Sequence, residues 1–99
     1  MDIKIKSIHF DATEKLEAFI EKKVLKLEQF CEGIIMADVA LKVIKPEAVK
    51  NKSASIRIKI KNGDCFAEKI CDTFEESVDT AVEALEKQLL KYKEKSKVK

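Results

Sequence analysis

The final segment of the chain, residues 72–99, constrains the fold more than any other. Its apolar side chains recur every three or four residues, which places them on one narrow stripe of an α-helix. A helix with one apolar stripe has to bury that stripe against another element. Thr73 followed by Glu76 has the spacing of a capping box, as has the pair one residue earlier, so we expect the helix to begin near Thr73. The stripe contains Phe74, Val78, Ala81, Val82, Leu85, Leu89 and Tyr92.

Charge is sorted along this predicted helix, with acidic residues in its first half and lysines in its second. Such sorting complements the helix macrodipole and needs no ligand. The lysines, however, continue over about three turns, beyond the reach of the dipole, and like charges four residues apart repel each other slightly. Dipole matching and a basic ridge that binds a polyanion therefore both stay open. The lysines concerned are Lys87, Lys91, Lys93, Lys95, Lys97 and Lys99.

Length and composition indicate one globular domain, residues 1–99, with a highly charged surface. Of the 99 residues, 45% are hydrophobic and 38% are charged, which excludes an intrinsically disordered chain. The formal net charge of +2 says little about a partner, so any argument for nucleic acid has to rest on where the charges lie. No apolar run approaches the roughly 20 residues that cross a bilayer, and the alternating N-terminus is unlike a signal peptide. We therefore expect a cytoplasmic protein.

The residue types that usually carry chemistry are few. Cys31, Cys65 and Cys71 lack the C-x-x-C spacing of a metal site, and we expect them to be reduced and largely buried. His9 is the only histidine, so we expect it to be structural, and a Cys/His metal cluster or a Ser/His/Asp triad is excluded. The two glycines are far apart, which excludes a P-loop and a dinucleotide fingerprint. The sequence predicts no enzyme activity, metal site, cofactor or small-molecule substrate.

The start of the chain predicts a strand. Ile3 and Ile5 alternate with charged residues, as in a half-buried strand. The apolar phase then shifts to Ile8 and Phe10. This shift indicates either a bulge near Ser7, or a strand that ends there with Phe10 packed under the next helix.

A second amphipathic helix is predicted to open at the capping-box pair Asp11 and Glu14, to run to about Phe30 and to stop near Gly33. Its lysines gather on one flank and its glutamates on the other. The macrodipole does not explain charge sorted around the axis, so the basic flank favours an anionic partner; intrahelical Glu–Lys pairs on a solvated face are the alternative. Lys23 projects between this flank and the buried stripe, where its stem can lie on apolar surface. The stripe contains Leu16, Phe19, Ile20, Val24, Leu27 and Cys31, the basic flank Lys15, Lys22 and Lys26, and the acidic flank Glu14, Glu17, Glu21 and Glu28.

Three further segments have the alternation of strands. Residues 34–44 form a long β-type run, and residues 54–60 alternate most regularly of all. Asn62-Gly63 is a strong hairpin signal because a type I′ turn needs positive φ at both central residues, and it predicts a return strand over residues 64–70.

The order β-α-β-β-β-α predicts an α+β fold, a two-layer sandwich in which both helices cover one face of a four-stranded mixed sheet. A right-handed crossover makes the first two strands parallel if they are neighbours. The other face of the sheet is then open to water. We expect its basic side chains to be solubilising, with a second basic surface as the alternative; they are Lys4, Lys6, Lys42, Arg57, Lys59 and Lys61.

Basic flanks on two neighbouring helices would combine into one positive field. Each lysine that neutralises a phosphate releases counterions, so about six to eight contacts would give salt-sensitive binding with little sequence preference. Aromatic side chains for stacking on single strands are nearly absent, because Tyr92 and the phenylalanines fit the apolar stripes better. The predicted ligand is structured RNA, recognised by its shape and its phosphates.

Three stretches of the chain are distinctive: TEKLEAFIEKKVLKLEQF (residues 13–30), the hairpin around Asn62-Gly63, and FEESVDTAVEALEKQLLKYKEK (residues 74–95). Together they resemble the short ribosome hibernation promoting factors, also called sigma-54 modulation or ribosome-associated inhibitor proteins. The resemblance runs over nearly the whole chain. Its most specific parts are KLEQF at the end of the first helix and EKQLLKYKEK in the last.

The resemblance implies the same β-α-β-β-β-α fold and a binding site in the decoding channel of the small ribosomal subunit. Members of the family contact the small-subunit rRNA there and overlap the positions of mRNA and of the A- and P-site tRNAs, so occupancy alone blocks translation. This chain departs from the family at Ala84, where a lysine is frequent, and at Glu17, where a basic residue occurs. By flank position or by resemblance, the expected RNA-binding residues are Lys15, Lys22, Lys23, Lys26, Lys87, Lys91, Lys93 and Lys95.

Long members of the family append a C-terminal domain that pairs ribosomes, and this chain ends at Lys99. The resemblance therefore implies that it needs another factor to form ribosome dimers or that it silences single ribosomes, with the free protein monomeric. The alternative function is modulation of sigma-54-type transcription by protein–protein interaction, in which the same charged helices would face an acidic protein surface.

Overall fold

The computed structural model of the protein describes residues 1–8, 10–31, 33–45, 50–61 and 63–97, with only the backbone described for residues 93–97. The elements follow the predicted order β-α-β-β-β-α. His9 and Asn62, about which the sequence makes predictions, lie outside the described residues. The strands are β1 (Asp2–Ile8), β2 (Ile34–Val43), β3 (Lys52–Ile60) and β4 (Gly63–Cys71); the helices are α1 (Glu14–Leu25), which continues as a 3₁₀ turn (Lys26–Gln29), and α2 (Phe74–Lys97).

The four strands form one mixed sheet in the order β1-β2-β3-β4. β1 and β2 are parallel, whereas β2–β3 and β3–β4 are antiparallel. Because α1 returns from β1 and α2 returns from β4, which is parallel to β1, both helices run in the same direction. The helices contact each other, and their apolar stripes share one core with the inward-facing strand residues. The predicted fold class is therefore confirmed.

The core forms where the helical stripes meet the alternating strand residues. On β3, the side chains at every second position are buried, while Arg57 and Lys59 between them are exposed. The same alternation in β2 and β4 gives the sheet one apolar and one open face, as expected for strands of an antiparallel pair. The fully buried large side chains are Ile20, Val24, Leu27, Val39, Leu41, Ile56, Ile58, Val78, Leu85 and Leu89.

The N-terminus of α1 differs from the prediction. Thr13, in extended conformation, is the N-cap, and its hydroxyl accepts a hydrogen bond from the amide of Leu16 (3.1 Å). The predicted capping pair Asp11–Glu14 would have started the helix two residues too early. A capping box requires Glu or Gln three residues after the cap, and residue 16 is a leucine, so the sequence pattern did not indicate Thr13 as the cap. At α2, Thr73 caps the amide of Glu76 (3.1 Å), as predicted.

The shift of apolar phase near Ser7 marks the end of β1. The pairing of β1 with β2 is unbroken from Asp2 to Ile8, so the alternative of a bulge near Ser7 is wrong. Phe10 leaves the sheet and stacks on Phe74, with ring centroids 4.8 Å apart and planes 8° from parallel. The aromatic pair joins the chain before α1 to the first residue of α2.

The hairpin between β3 and β4 is confirmed, but its turn lies one residue earlier than predicted. Ile60 pairs with Gly63, so the connecting residues are 61 and 62. Gly63 has no positive φ, in contrast to Gly33 with φ 91°, and it begins β4. Moving the turn by one residue changes each strand partner by two positions, which leaves the same side chains in the core; the alternation therefore did not determine this register.

Two further sequence expectations concern the cysteines and the membrane. Cys65 is buried, whereas Cys31 and Cys71 are only half-buried. Burial of the thiols was thus predicted correctly for Cys65 alone. No helix in the described part of the chain is long and apolar enough to span a membrane.

Candidate nucleic-acid interface

The two flanks of α1 face different neighbours. Lys23 Nζ lies 3.0 Å from Asp79 Oδ1 of α2, so the basic flank is the one that faces α2. On the opposite side, Glu28 Oε1 lies 3.7 Å from the terminal amine of Met1, which precedes β1. The predicted sorting of charge around the helix thus directs lysines toward the second helix and glutamates toward the edge of the sheet.

The orientation of α2 follows from two contacts. Asp79 faces α1 through its ion pair with Lys23. The side-chain amide of Gln88 faces the opposite way, since it donates to the carbonyl of Phe66 on β4 (2.8 Å) and accepts from the amide of the same residue (3.3 Å). Lys87 and Lys91 project about 80° and 120° around the helix from Asp79, between the two contacts and away from the core. The lysines of α2 therefore belong to the outer surface of the helix layer.

The relative position of the two helices along their axes determines which lysines are neighbours. Lys23 stands opposite Asp79, and both helices run in the same direction, so Lys26 stands about level with residue 82. Lys87 then lies about 7.5 Å further along the axis. Lys15 lies about 12 Å from Lys23 in the opposite direction along the axis, near the acidic start of α2. From the level of Lys22 onward, four lysines of the two helices thus follow one another over about 20 Å along the axis, and we call them the lysine cluster: Lys22, Lys26, Lys87 and Lys91.

The lysine cluster is free to bind an anion. All four side chains are exposed, and within the described residues none of them forms an ion pair with a carboxylate. Lys23 differs from them because it forms an ion pair with Asp79. Lys15 is exposed as they are, but it lies near the N-terminus of α1. Lys93 and Lys95 continue α2, but their side chains lie outside the described residues.

The open face of the sheet carries both signs of charge. Strand pairing places Asp38 between Lys4 on β1 and Arg57 on β3. The guanidinium of Arg57 forms an ion pair with Asp64 (2.7 Å) and lies over the ring of Phe66, 5.2 Å from its centroid. Acidic neighbours thus counter several of the bases of this face.

The described residues contain no group of three or more His, Cys, Asp or Glu side chains placed to hold a metal ion. The pKa of the Cys65 thiol is raised above its ordinary value, chiefly by burial and further by the proximity of Cys31 and Asp64. A raised pKa keeps this thiol protonated and makes it a poor nucleophile. The geometry of the surface supports binding of a polyanion through charge.

A model of the family described as "Sigma 54 modulation protein / S30EA ribosomal protein" matches residues 3–97. The chain belongs to this family. The match includes both helices and all four strands, in agreement with the resemblance seen in the sequence. A search of curated proteins gave no match.

Two solved structures are similar to this member of the family. The N-terminal domain of Protein Y from Thermus thermophilus has a TM-score of 0.81 and 27% sequence identity, over 93% of this chain and 99% of that chain. A ribosomal subunit interface protein from Coxiella burnetii has a TM-score of 0.79 and 24% identity, over 94% of this chain and 98% of that chain. The second likeness establishes the shared fold.

Sequence reasoning missed two residues that organise the surface. Asp79 was one of several acids in the first half of α2, and Gln88 had no role at all. Asp79 has a usable signal, because it projects about 60° beyond Val82 at the edge of the apolar stripe, where a side chain reaches a neighbouring helix. Gln88 has none, since no sequence pattern states which strand edge an amide will meet.

Proposed function

We propose that this protein binds the rRNA of the small ribosomal subunit in the decoding channel and inhibits translation by occupying the sites of mRNA and tRNA. The observation that carries the proposal is the lysine cluster, four exposed ammonium groups with no carboxylate partner among the residues that the structure describes, on a member of a family described as ribosomal. The likeness to the N-terminal domain of Protein Y over nearly the full length of both chains supports it.

The cluster suits RNA that is already folded. Lysine ammonium groups are point charges that contact phosphates without reading bases, so they recognise where the phosphates lie. Their position on two packed helices fixes their spacing before binding, which reduces the entropy lost on association. Inhibition then needs only occupancy, and no bond is made or broken.

The first experiment is co-sedimentation of the purified protein with isolated small subunits at physiological salt. The protein should pellet with the subunits, and the bound fraction should fall steeply as salt rises, since each phosphate contact releases counterions. Protein that remains in the supernatant at physiological salt would contradict the proposal.

The second experiment asks whether the lysine cluster makes the contacts. Changing Lys22, Lys26, Lys87 and Lys91 to Gln should abolish co-sedimentation at physiological salt, and at low salt it should reduce the slope of log K against log [salt] by roughly 3 to 4. The matched control removes four exposed charges from the open face of the sheet, with Lys4, Lys6, Lys42 and Lys59 changed to Gln. Because both variants lose the same net charge, only position distinguishes them.

A third variant, Lys15→Gln, tests the extent of the surface. It should bind within about twofold of wild type, because Lys15 lies at the other end of α1, about 16 Å along the axis from Lys26 and near the acidic start of α2. If the open-face variant loses binding while the four-lysine variant retains it, the interface has been assigned to the wrong side of the molecule.

Occupancy of the decoding channel makes a separate prediction. Subunits already programmed with mRNA and tRNA should bind the protein less than empty subunits, and the protein should inhibit a translation extract in proportion to the fraction of subunits occupied. Simultaneous binding of the protein and tRNA would refute the occupancy mechanism. Capture of a sigma factor, with no retention on small subunits, would instead support a role in transcription.

A further inference from the structure

We infer that Lys23 is a positioning residue, which fixes the two helices relative to each other and does not contact a phosphate. The inference rests on the proposed function and deepens it. Its observation is the ion pair between Lys23 Nζ and Asp79 Oδ1, 3.0 Å apart, which joins α1 to α2. The resemblance to the family had placed Lys23 among the RNA-binding residues.

The environment of Lys23 differs from that of the lysine cluster. Its side chain is only 26% exposed, whereas the four cluster lysines are exposed. Its ammonium lies 5.6 Å from the centroid of the Phe19 ring, which adds a cation–π contact to the ion pair. A phosphate approaching Lys23 would have to displace Asp79 or come close to its negative charge. Either event makes phosphate binding at Lys23 less favourable than phosphate binding at a lysine of the cluster.

The pair is placed where it can set the geometry of the cluster. Between α1 and α2 it is the one ion pair found in the described part of the chain, and the remaining contacts come from the shared apolar core. The interdigitated core holds the helices together along their buried stripes, and the ion pair adds a directional contact on the outer side of that packing. The distances from Lys22 and Lys26 on α1 to Lys87 and Lys91 on α2 depend on the relative position of the two helices along their axes.

The experiment compares single variants in co-sedimentation with small subunits over a series of salt concentrations. Lys23→Met keeps the apolar stem and removes the charge, and Lys26→Met is its matched control in the lysine cluster. Lys26→Met should reduce the slope of log K against log [salt] by about 0.7 to 0.9, the loss of one phosphate contact. Lys23→Met should weaken binding about two- to fivefold with an unchanged slope.

Changing Asp79 gives the sharper test because the two roles predict opposite signs. If Lys23 positions the helices, Asp79→Asn should weaken binding about as much as Lys23→Met does, although it removes a negative charge. Glu83→Gln, an exposed acid one turn further along α2, controls for that charge and should bind as well as wild type or better. If Lys23 contacts phosphate, Asp79→Asn frees it and should bind at least as tightly as Glu83→Gln.

The exchanged variant Lys23→Asp with Asp79→Lys completes the set. It restores an ion pair between the helices, so it should recover most of the wild-type affinity. Weak binding by the exchanged variant, or a reduced salt slope for Lys23→Met, would overturn the inference.

A measurement without ribosomes separates this inference from the proposed function. Amide hydrogen exchange in α1 of the free protein should accelerate in Lys23→Met and Asp79→Asn and stay unchanged in Lys26→Met. If wild type fails to bind subunits while these exchange rates differ as stated, the proposed function fails and the helix contact stands. Equal exchange in all variants would overturn the positioning role itself.

Discussion

At the scale of single residues, Ser77 shows how a polar side chain can become part of the core. Its side chain is fully buried on α2, and its hydroxyl lies within hydrogen-bonding distance of the carbonyl oxygens of Lys52 (2.5 Å) and Thr73 (3.1 Å). The first contact joins the helix to the start of β3. Because a hydroxyl has one proton, it donates to one carbonyl at a time. Ser77 therefore attaches α2 to the sheet by a directional bond.

We predict that Ser77→Ala lowers the free energy of unfolding by about 1 to 3 kcal/mol, because the partly buried carbonyl of Lys52 loses its side-chain donor. Urea unfolding followed by circular dichroism measures the change. Thr80→Ala is the matched control, since the Thr80 hydroxyl also donates to a helix carbonyl, that of Glu76 (2.7 Å), but at an exposed site. The control should change stability by less than about 0.5 kcal/mol. Equal losses in both variants would contradict the role given to Ser77.

At the scale of elements, α2 protects an edge of the sheet. β4 is an edge strand, and edge strands present unpaired backbone groups that can recruit other chains. The amide of Gln88 bonds both the N–H and the carbonyl of Phe66, much as a neighbouring strand would. The helix thereby covers the middle of the exposed edge.

We predict that Gln88→Ala lowers the free energy of unfolding by about 1 kcal/mol and accelerates hydrogen exchange of the Phe66 amide, because two backbone groups lose their partner. NMR-detected exchange measures the second effect directly. Lys87→Ala, one residue away and exposed, is the control and should leave the Phe66 amide protected. Protection of this amide in Gln88→Ala would show that the edge does not depend on the helix.

At the scale of the whole molecule, the buried thiol of Cys65 links stability to alkaline pH. Burial, with Cys31 and Asp64 nearby, raises the pKa of Cys65 in the folded protein. The unfolded thiol ionises at its ordinary value, about 8.5. Between the unfolded and the folded pKa, the unfolded state loses a proton that the folded state keeps, so unfolding becomes more favourable as pH rises.

We predict that the urea midpoint of the reduced protein falls as pH rises from 8 toward the raised pKa, and that Cys65→Ala shows a smaller fall. Below the unfolded pKa the stability contributed by the protonated thiol is fully present, so between pH 6.5 and 7.5 wild type and variant should differ by a constant amount. Lysines and Tyr92 also titrate at high pH in both proteins, and comparison of the two removes their contribution. Parallel curves up to pH 10 would refute the linkage to Cys65.

Several features were determined by the sequence alone because they depend on local periodicity. Apolar spacing of three or four residues gave both helices, strict alternation gave the strands, and the Asn62-Gly63 dipeptide indicated the hairpin. The division of charge on α1 was also visible, since helical projection needs no tertiary information. Family membership followed from KLEQF and EKQLLKYKEK in their order along the chain.

Tertiary structure alone decided the features that depend on which elements meet. The hairpin register was open because two alignments bury the same alternating residues. Thr13 was missed because residue 16 is a leucine, so no capping box marks this helix start. The sequence placed Lys23 between the basic flank and the apolar stripe of α1 but did not give its partner. The structure pairs Lys23 with Asp79, and no carboxylate in the described part of the chain pairs with Lys22, Lys26, Lys87 or Lys91. A periodic pattern specifies the direction of a side chain from its own helix axis, whereas the neighbour in that direction is fixed only when the helices pack on the sheet.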